Sequence, residues 1–356
     1  MEKVTKGSFL TVGLDLGDRF SRLLILDGRG QVVGEERVAT REPALQRRFA
    51  GCPRMRVALE TGTHSPWVSR VLEECGHEVI VANSRKLRLI YENPSKDDRV
   101  DAMYLARVAR VDPTLLSPVE HRRVTTQQDL VLLRSRDVLV GSRTQLINHV
   151  RGVVKSLGGR LPSCSSKAFS RKAHEKIPES LSPSLLPVLE EIGSLTERIK
   201  KIEKQLQALS DTAYPQTKLL RQVTGVGLIT SLGYVLTLED PQRFAKSRTV
   251  AAFLGLVPGR KQSGASDPQR RITKRGDGYL RQLLVNAAHY ILGPFGEDSD
   301  LRRFGLRIAS RGGKLAKKKA IVAVARKLAV LLHHLWRSGE VYEPFHQTAG
   351  SRGKAE

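Results

Sequence analysis

Two groups of residues in this chain could do chemistry on a phosphodiester. The first centres on Ser263, in Gly259-Arg260-Lys261-Gln262-Ser263-Gly264, with Arg270, Arg271, Lys274, Arg275 and Arg281 close behind it. A serine hydroxyl attacks only when its proton is removed and the charge that develops is offset. Surrounding arginines and lysines can offset charge spread over phosphate oxygens. The alternative is a solvated basic hairpin in which Ser263 only shapes a Ser-Gly turn. The second group is Asp15, Glu60, Asp98 and Asp101. Asp15 and Glu60 end predicted strands, and Asp98 and Asp101 stand at i and i+3 in the first turn of a predicted helix, hence on one face. Converging carboxylates are oxygen ligands for one or two Mg²⁺ ions. Each also has a structural alternative: Asp98 as a helix N-cap, Asp101 as a dipole partner, Asp15 as a turn residue.

The elements that must position them follow from periodicity. Residues 9–15, 21–27 and 31–38 alternate as a three-stranded meander turned by Gly28-Arg29-Gly30. Residues 41–50 are partly helical, 54–60 form a fourth strand, 65–75 a helix with Trp67, Val68, Val71 and Leu72 on one side, and 78–82 a fifth strand. Helices are predicted over 84–91 and 98–111. This order predicts a mixed sheet covered by helices.

Beyond a connector at 113–128, residues 129–157 read as a helix with Leu132, Leu139, Leu146 and Val153 seven apart. Arg134, Arg136, Arg143 and Arg151 give that helix a basic outer face, suited to phosphate or simply solvated. Residues 158–184 read as an irregular Ser/Pro-rich loop. The next helix carries Val188, Ile192, Leu195, Ile199, Ile202, Leu206 and Leu209 in steps of four and three, a coiled-coil seam that pairs within or between chains. Gly225-Val226-Gly227 reads as a phosphate-binding turn or an ordinary helix corner. A helix to about residue 292, a polar break, the basic run Lys314-Leu315-Ala316-Lys317-Lys318-Lys319 and a last helix over 319–337 complete the chain. The expected class is α/β plus α: a sheet domain at 1–115, a helical coiled-coil insertion at 116–215, a mainly helical domain at 216–340 and a disordered tail at 341–356.

Charge narrows the partner. The 356 residues carry a net +24, unevenly: residues 1–115 hold 19 Lys/Arg against 16 Asp/Glu, whereas 241–340 hold 21 against 6. An excess concentrated beside Ser263 points to a polyanion, with affinity carried by phosphate contacts from Arg260, Lys261, Arg270, Arg271, Lys274, Arg275 and Arg281. Aromatics at 5% argue against a base-stacking single-strand binder. Cys52, Cys75 and Cys164 form no zinc or disulfide pattern. With no signal-peptide pattern at the start and no apolar run near the ~20 residues of a membrane span, a reduced, cytoplasmic, nucleoid-associated protein without membrane contact is expected.

Val12-Gly13-Leu14-Asp15, Leu59-Glu60-Thr61-Gly62 and Lys96-Asp97-Asp98-Arg99-Val100-Asp101-Ala102 resemble the three segments of an RNase H-like, RuvC-type DEDD domain. Together with the Thr224-Gly225-Val226-Gly227 opening, the Gln262-Ser263-Gly264 loop, Arg271-Ile272-Thr273-Lys274-Arg275-Gly276-Asp277 and Leu280-Arg281-Gln282-Leu283-Leu284, they resemble the DEDD transposases of bacterial insertion sequences over roughly residues 8–340. The resemblance implies Asp98, by the motif's register, as the third carboxylate. It implies a DNA recombinase that cleaves and rejoins strands through a serine, assisted by Mg²⁺ and directed by a guide (bridge) RNA. A serine in one domain and a metal site in another imply a composite site between subunits, hence a dimer or tetramer. A metal-only nuclease of the Holliday-junction type, a non-enzymatic nucleic-acid-binding protein and an actin-like sugar kinase or ATPase remain as rivals.

Overall fold

The computed structural model describes residues 9–86, 98–260, 262, 268 and 270–345, with the side chain of Asp98 outside that set. The chain divides into two compact units, Met1–Arg123 and Val124–Glu356.

The first unit is a five-stranded mixed sheet in the order β3-β2-β1-β4-β5. Its strands are β1 (Thr11–Asp15), β2 (Phe20–Leu26), β3 (Val32–Ala39), β4 (Arg56–Glu60) and β5 (Glu78–Ala82). The meander β1–β3 is antiparallel, whereas β4 and β5 run parallel to β1. Period-two alternation gives each central strand two apolar faces. On one face Val12, Leu14, Val57 and Leu59 meet Leu45 and Phe49 of α1 (Glu42–Phe49) and Val68 and Leu72 of α2 (Ser65–Glu74). On the other, Ala58, Ile80 and Ala82 meet Leu105 and Ala109 of α3 (Asp98–Val111). The predicted strands and the helices at 41–50, 65–75 and 98–111 are all present. Of the helix expected at 84–91, residues 87–91 lie outside the described residues.

Gly13 sets how closely α3 approaches β1. A Cβ there would stand 1.8 Å from the Ala102 carbonyl oxygen, so helix and strand touch backbone to backbone. Arg56 reinforces the contact from the other end, its Nη1 donating to the Ala109 carbonyl at 3.0 Å. Arg56 begins β4, so α3 runs opposite to the parallel strands and its first turn lies at their C-terminal ends.

The second unit is helical. Its two long helices, α4 (Val124–Ser156) and α6 (Ser182–Thr212), pair antiparallel within the chain. Ile147, Val150 and Val154 meet Leu185, Leu189 and Ile192, while Leu130 and Leu133 meet Leu206. In α4 the most buried row is Leu133, Ile147 and Val154, one residue on from the predicted Leu132, Leu146 and Val153, which are half-buried. Both rows are apolar, and contact with α6 decides which is covered.

The four cations expected to form a basic outer face on α4 all have partners within this unit, although Arg134 stays exposed. Arg134 pairs with Asp277 at 2.7 Å and Arg136 with Glu203 at 2.6 Å. Arg143 is buried with its Nη1 on the Thr196 hydroxyl, and Arg151 donates to the Pro162 carbonyl and stacks over Phe169. All four cations are spent inside the unit. The stretch 158–184 is also more ordered than expected: α5 (Phe169–His174) buries Phe169 and Ala173 against the long pair.

The rest of this unit comprises α7 (Gln216–Leu220), α8 (Leu228–Leu238), α9 (Arg248–Phe253), α10 (Gly278–Leu292), α11 (Asp300–Ala309) and α12 (Gly313–Ser338). They share one core that includes Tyr234, Leu254, Leu284, Val324 and Leu328. The last helix begins at Gly313, so the basic run expected ahead of it is helical. The segment expected as a tail starts tied down: the Asp300 amide donates to the Pro344 carbonyl, and the Tyr342 amide to the Gln222 side chain. Residues 346–356 lie outside the described residues.

His333 is fully buried in α12, accepting at Nδ1 from the Ser247 hydroxyl and donating from Nε2 to the Pro241 carbonyl, both at 2.9 Å. Burial holds its pKa below the ordinary 6.5. The folded state therefore disfavours the proton that the unfolded chain accepts, so its contribution is complete above 6.5 and is lost as pH falls from there through the depressed value. Thermal denaturation between neutral and mildly acidic pH is expected to show melting temperature falling with acid. In His333→Asn the protein should melt lower at neutral pH but depend less on acid; equal slopes would assign the pH dependence elsewhere.

Candidate active site

The carboxylate site is assembled by strand register. Leu14 of β1 pairs with Leu59 of β4, so Asp15 and Glu60 are the next residues on adjacent parallel strands, about 4.8 Å apart along the sheet. Leu14 and Leu59 face α1 and α2, and by alternation Asp15 and Glu60 face α3. Asp101 precedes Ala102, whose carbonyl rests against Gly13, two residues from Asp15. Three sequence-predicted carboxylates thus belong to one end and one face of the sheet, where ligands of parallel-strand folds collect. All three are half-buried. Among the described residues no three His, Cys, Asp or Glu side chains form a group that could hold a metal ion. The side chain of Asp98, the fourth predicted ligand, lies outside those residues. The donor set is all-oxygen, which is the chemistry a hard cation takes.

Sequence reasoning missed His64 and Asp18 at the same end of the sheet. The Trp67 indole N–H donates to His64 Nδ1 at 3.1 Å, leaving Nε2 3.6 Å from an Asp18 carboxylate oxygen. A tryptophan three residues after a histidine at a helix start is the signal that could have found this.

The residues that flank the predicted serine form a closed base. Leaving α9, the chain turns at Gly255, whose φ of +67° and 2.2 Å approach of a hypothetical Cβ to the Arg275 carbonyl oxygen exclude a side chain. The Gly259 amide donates to the Arg271 carbonyl and the Thr273 amide to the Val257 carbonyl, each at 2.9 Å, around a Pro258–Ile272 bridge. Asp277 caps α10 by accepting from the Leu280 amide at 2.9 Å while pairing with Arg134. Arg281, predicted to contact phosphate, donates through Nη1 to the carbonyls of Leu254 and Arg275, both at 2.9 Å, and so pins the turn. Arg260, Arg270, Arg271, Lys274 and Arg275 are exposed around this base. Ser263 and Lys261 lie outside the described residues.

Two neighbouring groups are narrowed by the geometry. Tyr279, at the start of α10, has a buried hydroxyl without a hydrogen-bond partner among the described residues, and burial pushes its pKa up to about 12. It stays a neutral phenol near pH 7 and supplies no anionic base. At the Gly225 turn the Thr224 hydroxyl donates to Glu297 at 2.7 Å. A carboxylate at that turn favours an ordinary helix corner over a phosphate site.

Comparison with known proteins supplies the family. A DEDD transposase model of the IS110 type matches residues 12–158, which contain all four carboxylates, and the model described as "Transposase IS116/IS110/IS902 family" matches 217–299, which contain the serine loop. The chain is 30% identical to the transposase for insertion sequence element IS1111A of Coxiella burnetii, covering 71% of this chain and 70% of that protein. The chain belongs to the IS110/IS116 transposase family. A probable family 20 transposase of Pseudomonas aeruginosa is 27% identical over 94% of this chain and 98% of its own length. The transposase for element IS1328 of Yersinia enterocolitica is 28% identical over 78% and 82%. Both units of this transposase, the sheet and the helical part, therefore carry family sequence. Among the described residues no helix is long and apolar enough to cross a membrane.

Proposed function

We propose that this transposase cleaves and rejoins DNA through Ser263, with the carboxylate end of the sheet as its metal site. The observation that carries the reading is the placement of Asp15 and Glu60 side by side, on one face, beneath the first turn of α3. Asp15, Glu60, Asp98 and Asp101 would hold Mg²⁺, which supplies positive charge to the phosphate when bound. The Ser263 hydroxyl attacks phosphorus: the P–Oγ bond forms as its proton is lost, and a phosphodiester P–O bond breaks as the departing deoxyribose oxygen takes a proton. The phosphoserine link conserves the bond for rejoining to another strand. Arg260, Lys261, Arg270, Arg271, Lys274 and Arg275 bind DNA phosphates and carry affinity rather than sequence choice. Arg281 joins them through the N–H groups left over from the turn. Sequence choice comes from pairing with a guide RNA, and the protein works as a homo-oligomer, dimer or tetramer. The match of a DEDD transposase model to residues 12–158 supports the carboxylate assignments, and the second transposase model spans the segment that holds Ser263.

The test is adduct trapping. Protein co-expressed with the noncoding RNA flanking its gene meets labelled element-junction DNA and Mg²⁺, and a denaturing gel is scanned for protein-linked DNA. The linked peptide is then mapped by mass spectrometry. Attachment at Ser263, lost in Asp15→Ala and on chelation, is the expected result. Attachment at Ser266 or a tyrosine would overturn the assignment. Cleavage without an adduct would leave a metal-only nuclease.

A further inference from the structure

The tip between α11 and α12 holds a charge concentration that the reading above does not use. Residues 301–339 contain eleven Lys/Arg and no Asp or Glu. At the base of this helical pair the cations have structural partners. Arg303 pairs with Asp298 at 2.6 Å, Arg302 donates to the carbonyls of Ile291 and Gly293, Lys327 sits 4.0 Å over the Phe304 ring, and Arg337 donates to the Ala245 carbonyl at 2.7 Å. At the tip Arg307, Arg311, Lys314, Lys317, Lys318 and Lys319 are all exposed. None of the six makes an ion pair among the described residues.

Local physics opposes this placement. Lys314, Lys317 and Lys318 fall at i, i+3 and i+4, so they share a face of α12 and repel one another. Lys314 also stands in the first turn, where the backbone dipole disfavours cations, and no acidic residue stands in that turn. Leu315 is 66% exposed among them. An arrangement that costs stability and has no ion-pair partner among the described residues answers to an external anion, and the family's substrate is DNA.

We propose that the α11–α12 tip is a second DNA contact, gripping the phosphate backbone of duplex DNA without reading sequence, apart from the Ser263 loop. Dense, evenly spaced phosphate suits a cluster of flexible lysines, which act as point charges rather than as base readers. The inference does not depend on the serine chemistry.

The test is the salt dependence of binding by the full-length protein to a duplex of arbitrary sequence. The variant is Lys314→Gln/Lys317→Gln/Lys318→Gln, and glutamine keeps helix propensity close to lysine. Its dependence of log Kd on log salt is expected to be shallower by about 2–3 units, since each phosphate contact contributes ~0.9. The charge-matched control Lys200→Gln/Lys201→Gln/Lys204→Gln on α6 should keep the wild-type slope, as should Ser263→Ala. An unchanged slope in the tip variant, or an equal change in the control, overturns the proposal. So does a tip variant that loses affinity for single-stranded RNA while its duplex slope is retained. Circular dichroism and melting temperature verify the fold of each variant. Loss of strand cleavage in Ser263→Ala leaves the tip result untouched, so the two readings fail separately.

Discussion

Ser263→Ala is expected to abolish the DNA–protein adduct and reduce strand cleavage by about 10⁴-fold or more, as removal of a covalent nucleophile does elsewhere. The substitution removes one oxygen and leaves the surrounding cations in place. Duplex affinity and its salt dependence should therefore stay within about twofold of wild type, because non-specific DNA affinity is set by phosphate contacts. The closed loop base reinforces this expectation: the amides of Gly259 and Thr273 and the Arg281 guanidinium hold the turn through backbone carbonyls, independently of Ser263. Ser266→Ala on the same loop should retain the adduct. Single-turnover cleavage and anisotropy on matched samples separate the two effects. Cleavage that survives in Ser263→Ala while Asp15→Ala is inactive would make the protein a metal nuclease and leave Ser263 a turn residue.

Gly13→Ala is expected to destabilise the sheet unit by about 3 kcal/mol or more, at the upper end for overpacking. The added methyl would meet the Ala102 carbonyl oxygen at 1.8 Å and the Ala106 amide nitrogen at 2.8 Å. Both are helix backbone, so no side chain can rotate away and α3 must lift from β1. Lifting α3 would also carry Asp101 away from Asp15 and Glu60, so adduct formation should fall further than the loss of folded protein explains. Gly62 is the matched comparison, since a Cβ there meets nothing within 4 Å and it too lies near the carboxylate end. Gly62→Ala should melt close to wild type. Urea denaturation of both variants, with adduct yield per folded molecule, tests the pair. A Gly13→Ala protein as stable as Gly62→Ala would mean that α3 does not rest on β1 as described.

Local sequence was enough for the sheet domain. Alternation in 9–38, the strand at 54–60 and the helix at 98–111 are short-range patterns, and each strand end fell where its carboxylate was expected. The seam of α6 was legible for the same reason: a step of three and four marks one face of one helix whatever lies opposite. The excess of cations around Ser263 is likewise a local property of the sequence.

Long-range contacts decided the rest. Arg136 faces inward because Glu203, 67 positions away, meets it, and Arg134 is taken by Asp277 across 143 positions. No window of neighbouring residues contains those partners, so a basic helix face was indistinguishable from a set of internal ion pairs. Which of two adjacent apolar rows on α4 is buried depended on where α6 lies. That Gly13 is a contact point, and that Arg281 pins a turn instead of standing free, emerged only once Ala102 and Leu254 were brought beside them. Periodicity reports which face of an element is apolar; the partner that covers that face, or claims a charge on it, comes from a distant part of the chain.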